Sequence, residues 1–302
     1  MINTSRLLKN IRLCKAVTSL GPGELEALLP AFSRCLIQYS YELRPKEKRI
    51  RALGGGRKGD LPNDMDKLVF ILMYLKVYPT FDVMGFLTGR ERSKCQASVV
   101  HFLPVLEMAL GRQLVLPKRK ITSPEEFFRL FPEAREVFID GTERRTQRPK
   151  SLKRRKKLYS GKKKTTTRKN IVVSDNKRRI LILAPTKSGR RHDKRIADKF
   201  SLVQNIPPHI PVWADTGFQG IQHIHPNVFM PEKDRKKRPL TYEQKQRNKI
   251  ISGIRIASEH AIGGMKRLKA ASDIYRNRLP NLDDTFNLLS AGLWNFHLQQ
   301  TA

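Results

Sequence analysis

The 302-residue chain is 39% hydrophobic, enough for a substantial core in one large domain or in one domain with a smaller appendage. Its 60 Lys and Arg against 27 Asp and Glu give a formal net charge of +33, an excess that requires a polyanionic partner such as nucleic acid. No apolar run is long enough to span a membrane, and three cysteines without C-x-x-C spacing exclude a disulfide framework, so we expect a cytoplasmic protein.

The N-terminal part of the chain predicts helices. Residues 1–50 form a helical segment in which apolar side chains recur at three- and four-residue steps from Leu25 to Leu36. Glycines and a proline then break the periodicity over residues 51–63, which predicts a linker.

Residues 64–118 are predicted to form an all-α helix-turn-helix domain. Asn63 or Asp64 can cap one helix, and Thr80 can cap a short second helix that stops at Gly89. The next helix opens with polar side chains, as does the helix that such domains lay in the major groove of DNA. We therefore predict four DNA-binding residues there: Arg90, Arg92, Lys94 and Gln96. A plain three-helix cluster with a solvated charged face is the alternative.

From about residue 135 the pattern changes to strands. The apolar run 137–139 ends in Asp140, and the β-rich runs 171–173 and 180–183 follow, which predicts an antiparallel meander. Between its first two strands, residues 150–169 hold 11 Lys and Arg and no acid. A charge run of this kind is usually a solvated or disordered face, but its position here favours contact with DNA phosphates. The predicted contacts are Lys162, Lys163 and Lys164.

A second apolar run, 212–214, ends in Asp215. A helix predicted over residues 190–200 precedes it, so the strand–helix–strand order is a crossover that makes this strand parallel to its neighbour. An acid at the carboxyl end of a buried strand lies at the rim of the sheet, where α/β active sites commonly lie. The alternative is an Asp that only caps the following turn.

The longest predicted helix covers about residues 242–268. Arg255, Glu259 and Lys266 stand four and seven residues apart in it, which predicts one shared face. The alternative is a plain i,i+4 salt bridge between the first two. Each glycine of the pair 263–264 destabilises a helix interior by about 1 kcal/mol relative to Ala. The close approach of another backbone would explain why glycine is used there, so we predict such an approach.

Three carboxylates, Asp140, Asp215 and Glu259, offer oxygen ligands for hard divalent cations. Two Mg²⁺ ions about 3.5–4 Å apart can activate a water or a 3′-hydroxyl and stabilise the leaving oxygen in phosphodiester displacement. Acids among so many cations are best explained by metal ions that join them to nucleic-acid phosphates. We therefore predict that these three residues are catalytic and bind two Mg²⁺ or Mn²⁺ ions.

The motifs FIDGTERR (138–145), YSGKKKTTTRKN (159–170), VWADTGFQG (212–220) and R-x3-E-x6-K (from Arg255) resemble those of DDE transposases of bacterial insertion sequences, in the branch with an N-terminal helix-turn-helix. The likeness covers roughly residues 50–298. It implies an α/β, RNase H-like catalytic domain over residues 130–300, with a mixed five-stranded sheet flanked by helices, in which the first and fourth strands lie side by side.

Individual residues match the motifs of this family. The resemblance implies that Asp140, Asp215 and Glu259 form its metal-binding triad, and that Arg255 and Lys266 contact DNA near the cut. Ser252 stands where many related transposases have tyrosine, which removes a phosphate or base contact but leaves the metal chemistry intact.

The resemblance implies a transposase that binds the ends of its element and performs metal-dependent DNA cleavage and strand transfer. Its expected partners are double-stranded DNA, as terminal inverted repeats and target, and a second copy of the chain in a homodimer, in the bacterial nucleoid and without a membrane. A catalytically silent, transposase-derived DNA-binding regulator is the alternative, against which the intact triad argues. A basic RNA-binding protein is a further alternative, but the sequence offers no obvious aromatic stacking platform.

Overall fold

The computed structural model of the chain describes residues 3–43, 59–234 and 239–301. The chain divides into two compact units. We call the first the helical unit; it comprises Met1–Leu116, Lys266–Asp273 and Thr285–Ala302. The second, the sheet unit, comprises Pro117–Met265 and Ile274–Asp284. Most of the linker predicted over residues 51–63 lies outside the described residues.

Most of the secondary structure is helical, and the strands fall between residues 137 and 229. In chain order the elements are α1 (Thr4–Leu8), α2 (Ile11–Thr18), α3 (Pro22–Leu43), α4 (Asp64–Val77), α5 (Phe81–Thr88), α6 (Arg92–Arg112), α7 (Pro124–Leu130), β1 (Val137–Arg145), α8 (Leu152–Leu158), β2 (Tyr159–Ser160), β3 (Thr165–Asp175), β4 (Ile180–Leu183), β5 (Lys187–Ser188), α9 (Asp193–Lys199), β6 (Val212–Ala214), β7 (Val228–Phe229), α10 (Tyr242–Ile254), α11 (Ile256–Lys266), α12 (Lys269–Ser272) and α13 (Leu282–Thr301). Within the described ranges, no helix has both the length and the apolar character needed to cross a bilayer.

Helices α4 and α5 begin at the predicted caps. The Asn63 side chain accepts a hydrogen bond from the amide of Asp66, and the Thr80 side chain accepts one from the amide of Val83. Gly89 ends α5 in the left-handed conformation, at φ 66°. The predicted helices are therefore confirmed, whereas their use as a DNA-binding helix-turn-helix stays a prediction.

The C-terminal helix α13 contributes to the helical unit. Phe286 is fully buried, with its ring centroid 6.1 Å from that of Tyr74, and the Asn295 side chain donates a hydrogen bond to the carbonyl of Val115 at 2.9 Å. Residues 285–300 were predicted as part of the catalytic domain, but these contacts place them with the N-terminal helices.

The sheet is mixed and five strands wide. Within the described residues it contains seven strands: the paired order is β2-β3-β1-β6-β7, and β4 and β5 also pair antiparallel with β3, so that β4-β3-β1-β6-β7 is a second path across the sheet. Strand β1 runs antiparallel to β3 and parallel to β6, which is parallel to β7. The predicted meander of β1, β3 and β4 and the parallel placement of the Asp215 strand are both confirmed. Leaving out the two-residue strands β2 and β5, β6 is the fourth strand and lies beside the first.

The core of the sheet unit explains why the apolar runs form strands. Val137, Ile139, Ile171, Val173 and Val212 are buried in one cluster, together with side chains from α7 and α9. These side chains alternate along β1 and β3, and Phe138 and Val172 between them are also buried, so both faces of this part of the sheet are covered. The buried strands therefore fix where each following acid lies.

The single helix predicted over residues 242–268 is wrong, because α10 ends at Ile254 and α11 begins at Ile256. At the break, the Arg255 carbonyl accepts hydrogen bonds from both the amide of Ser258, at 3.0 Å, and its hydroxyl, at 2.8 Å. Serine side chains that bond to the backbone in this way compete with the helical ladder. The prediction that another backbone approaches Gly263 closely is also wrong, since a Cβ built there meets no heavy atom within 4 Å.

Candidate active site

Asp140 and Asp215 lie side by side on neighbouring strands. The last pair in the parallel ladder of β1 and β6 joins Ile139 to Ala214. Asp140 is the next residue of β1, which continues to Arg145, and Asp215 directly follows the end of β6. Asp140 Oδ1 accepts a hydrogen bond from its neighbouring amide at 2.7 Å, and Asp215 Oδ1 does the same at 2.7 Å. Asp215 therefore caps its turn, as the alternative interpretation held, and also stands beside a second acid.

The guanidinium of Arg255 lies between the two acids. Its Nη2 is 3.8 Å from Asp140 Oδ2, and its Nη1 is 3.7 Å from Asp215 Oδ1. The arginine side chain is only 14% exposed, and its buried Nε has no hydrogen-bond partner among the described residues. These distances exceed those of hydrogen bonds, so Arg255 neutralises the acids without binding either tightly.

The negative charge of Asp140 is poorly stabilised in this environment. Burial raises the pKa of Asp140, and the negative charges of Asp215 and Asp193 raise it further, against the lowering effects of the Gly141 amide and Arg255. A carboxylate with a raised pKa is a poorly stabilised anion. An additional positive charge at this place would therefore stabilise the ionised form.

Glu259 does not join the two aspartates in this structure. It lies exposed in the first turn of α11, after the break, whereas the Arg255 side chain is largely buried. Lys266 is the last residue of α11 and is half-buried. In the described parts of the chain, no group of three or more His, Cys, Asp or Glu side chains is arranged to hold a metal ion.

Three of the four residues predicted at the recognition helix are exposed. Arg92 and Lys94 lie in the first turn of α6 with 70% and 54% of their side chains exposed, and Gln96 is exposed one turn later. Their nearest acids are Asp82 at 3.8 Å and Asp60 at 3.6 Å, both on the surface. This helix start therefore presents side chains that can reach a ligand.

Arg90 is placed differently from its three predicted companions. Its side chain is 9% exposed, its guanidinium carbon lies 5.1 Å from the centroid of the Phe70 ring, and its Nη2 donates a hydrogen bond to Ser98 at 3.1 Å. The turn at Gly89 folds this residue back onto the helical unit. Its contacts are those of a residue that stabilises the turn.

The basic tract forms a helix and a hairpin. Lys162, Lys163 and Lys164 are exposed in the turn between β2 and β3, and Lys164 has a left-handed backbone, at φ 49°. A pocket of about 400 Å³ lies beside the turn and is lined by several cations, namely Arg148, Arg155, Lys156 and Lys164, together with Tyr159. The tract therefore forms an ordered cationic surface on the sheet unit.

The sequence did not predict a fourth carboxylate, Asp193, which lies near Asp140. It is the first residue of α9 and pairs with the buried Lys169, which also pairs with Glu143. Sequence analysis placed Asp193 in a charged helix, and only the pairing of β1 with β3 brings these residues together. The spacing in the sequence carries no signal for it.

Comparison with known proteins agrees with the earlier resemblance. A family model described as DDE superfamily endonuclease matches residues 139–295. A curated protein of Microchaete diplosiphon, "Probable transposase for insertion sequence element IS702", is 31% identical over 237 residues, which cover 77% of this chain and 80% of that protein. No solved structure gives a significant match. The chain therefore belongs to the DDE superfamily of endonucleases, among the transposases of insertion sequences.

Proposed function

We propose that this transposase binds the ends of its own insertion sequence and cuts and joins DNA strands at the site formed by Asp140 and Asp215. The observation that carries the proposal is the placement of the two acids one residue beyond the last parallel pair of β1 and β6. The strand order β4-β3-β1-β6-β7 supports an RNase H-like architecture for the sheet unit.

The residues of the site fit a divalent cation. Two adjacent carboxylates, one with its pKa raised by burial and by neighbouring negative charge, form an oxygen donor set that a cation would stabilise. Mg²⁺ or Mn²⁺, two ions in the proposed active complex, would supply an activated nucleophile and stabilise the leaving oxygen. Asp140 and Asp215 are the proposed ligands, and Glu259 is the proposed third ligand by its place in the R-x3-E-x6-K motif.

The cations near the site have separate proposed tasks. Arg255 offsets the repulsion between the two acids and is the proposed contact for a DNA phosphate beside them, with Lys266 further along α11. Lys162, Lys163 and Lys164 extend the phosphate-binding surface along the hairpin. The proposed partners are double-stranded DNA, as terminal inverted repeats and target, and a second copy of the chain, in the bacterial nucleoid.

The helical unit is proposed to recognise the element ends. Arg92, Lys94 and Gln96 open α6 with exposed polar side chains, and each good base contact contributes about 1–3 kcal/mol of discrimination. Arg90, packed on Phe70, is not among the proposed base contacts.

One observation favours a second candidate, a catalytically silent DNA-binding regulator. Arg255 lies across the two acids, and Glu259 is exposed rather than grouped with them. In such a protein the acids would be structural partners of the arginine. The two candidates differ in one measurable property, metal-dependent strand cleavage.

A cleavage assay on a duplex that carries the element's own ends tests the proposal. We expect nicking that requires Mg²⁺ or Mn²⁺ and falls by at least about 100-fold in Asp140→Asn and in Asp215→Asn, since a lost metal ligand costs several kcal/mol of transition-state stabilisation. Asp198→Asn, on the surface of α9, is the control. DNA binding without nicking in the wild type would favour the regulator.

The salt dependence of binding tests the hairpin surface. Affinity for duplex DNA is expected to fall by about 0.9 log units per log unit of salt for each phosphate neutralised. Neutralising Lys162, Lys163 and Lys164 together should make that slope shallower. An unchanged slope in the triple variant would place the hairpin away from the DNA.

A further inference from the structure

The Asp193 carboxylate lies close to a glycine on each of the two chain segments that carry the proposed metal ligands. A Cβ built on Gly141 would lie 3.2 Å from Asp193 Oδ2, and one built on Gly217 would lie 3.1 Å from the same oxygen. Gly141 directly follows Asp140, and Gly217 is two residues after Asp215. A single carboxylate oxygen is therefore packed against the two chain segments whose relative position sets the site.

Lys169 holds this carboxylate in place. Its Nζ lies 2.6 Å from Asp193 Oδ1 and 3.0 Å from Glu143 Oε1, and it donates a hydrogen bond to the carbonyl of Arg191 at 3.1 Å. Glu143 stands opposite Lys169 in the pairing of β1 with β3, and it accepts a hydrogen bond from Thr167 at 2.8 Å. The start of α9 is thus tied to both strands.

Two of the three charges, those of Lys169 and Glu143, are buried but well stabilised. The side chains of Lys169 and Glu143 are 7% and 6% exposed. Burial alone would raise the pKa of Glu143, but hydrogen bonds from Ser160, Lys169 and Thr167 lower it; burial alone would lower the pKa of Lys169, but Asp193 and Glu143 raise it. Buried ion pairs often contribute little net stability relative to well-packed apolar side chains, so their use here indicates a need for fixed geometry.

We propose that Asp193 is a positioning residue for the proposed cleavage reaction. Its carboxylate, which is paired with Lys169, packs against Gly141 and Gly217. This packing fixes the placement of Asp140 and Asp215 as metal ligands. The same packing explains why glycine stands at both positions, because a Cβ there would lie too close to the Asp193 carboxylate. Outer residues that orient metal ligands typically change metal affinity 10- to 100-fold when mutated. The inference rests on the proposed function of the two acids.

The test is titration of the DNA-free 302-residue chain with Mn²⁺ alone by calorimetry. Asp193→Asn keeps the shape of the side chain but loses the ion pair with Lys169, and it is expected to weaken Mn²⁺ binding about tenfold. Asp193→Ala is expected to weaken it more, toward about 100-fold. The Mg²⁺ concentration that half-saturates cleavage should rise in parallel. Asp198→Asn is the matched control, since this acid lies on the same helix and pairs only with Lys194 among the ion pairs of the described residues. It should leave both values unchanged.

Asp140→Asn serves as the reference, and circular dichroism checks folding. If Asp140→Asn weakens Mn²⁺ binding but folded Asp193→Ala binds Mn²⁺ as the wild type does, the positioning role is refuted and the proposed function stands. If Asp140→Asn itself leaves Mn²⁺ binding unchanged, the proposed metal site fails and this inference fails with it. Loss of folding in both Asp193 variants would also overturn the inference, since the residue would then only support the fold.

Discussion

The sheet unit contains two clusters of charged side chains, one around Arg255 and one around Lys169. They differ in how well their charges are stabilised. In the first, Arg255 stands 3.7–3.8 Å from Asp140 and Asp215, and the pKa of Asp140 is raised. In the second, Lys169 stands 2.6–3.0 Å from Asp193 and Glu143. There the pKa of Glu143 is lowered and that of Lys169 is raised.

The difference shows which cluster is complete in the protein alone. Lys169 and Glu143 favour their charged forms despite burial, so this cluster needs no further ligand. Asp140 disfavours its charged form even with Arg255 nearby, so that cluster gains from an additional cation. Similar side chains thus form a structural cluster in one place and a candidate active site in the other.

The largest expected effect is the loss of the buried lysine. Lys169→Met should lower the free energy of unfolding by about 3–5 kcal/mol, because it leaves two buried carboxylates without their cation. Arg255→Met should lower it by less, because its distances of 3.7–3.8 Å to the two acids are beyond those of hydrogen bonds, so that less ion-pair energy is lost. Denaturant unfolding of both variants measures the difference.

Lys177→Met is the control for Lys169→Met. Lys177 Nζ also lies 2.6 Å from a carboxylate oxygen, that of Glu133, but both side chains are 59% exposed. Exposed ion pairs contribute little, so no measurable change in stability is expected. Equal losses in Arg255→Met and Lys169→Met would contradict the distinction between the two clusters.

A smaller effect is expected from Glu143→Gln. It should lower the free energy of unfolding at pH 7 by about 1.5–3 kcal/mol, the contribution of hydrogen bonds to a charged group, while the cleavage rate of the folded protein changes less than in Asp140→Asn. Because the folded pKa of Glu143 is lowered, its stabilising contribution is present above its ordinary value of 4.5 and lost as pH falls below it. The deficit of the variant should therefore shrink in acid. Thermal unfolding from pH 7 to pH 4 measures it, and a deficit that does not vary with pH would refute the cause given.

The smallest expected effect is a gain in stability, from Asp140→Asn. The folded pKa of Asp140 is raised above its ordinary 3.8, so its ionised form opposes folding at neutral pH, and this cost disappears as pH falls toward that value. Asp140→Asn should therefore raise the melting temperature slightly at pH 7, and the gain should vanish in acid. A melting temperature lowered by Asp140→Asn at pH 7 would mean that Asp140 is a satisfied structural acid.

The strands, and the place of each acid directly after a buried run, could be predicted from sequence because both depend on local patterns. The side-by-side placement of the two acids depends on the long-range pairing of β1 with β6, and only the resemblance to the transposase family implies it. The runs 137–139 and 212–214 each end in an acid, and buried runs of that length predict strands. The break at Arg255 could not be predicted in the same way. It depends on the Ser258 hydroxyl bonding to one carbonyl, and no proline marks it.

Long-range pairing explains the rest of what the sequence did not show. Asp193 and Gly141 are 52 residues apart in the sequence. They lie close together only because β1, β3 and α9 pack against one another. Arg90 has the sequence context of an exposed helix start, but the turn at Gly89 directs it onto Phe70. Each case depends on partners that are distant in the chain or on a backbone turn that residue types alone do not specify.

The return of the chain to the helical unit in α12 and α13 has a consequence for shortened products of the gene. A polypeptide that stops near residue 116 would lack Phe286, Leu289 and Phe296, which are fully buried in the structure. Its N-terminal helices would expose the apolar surface that these residues cover. Premature termination near residue 116 is therefore expected to yield an aggregating or degraded fragment instead of an independently folded N-terminal domain.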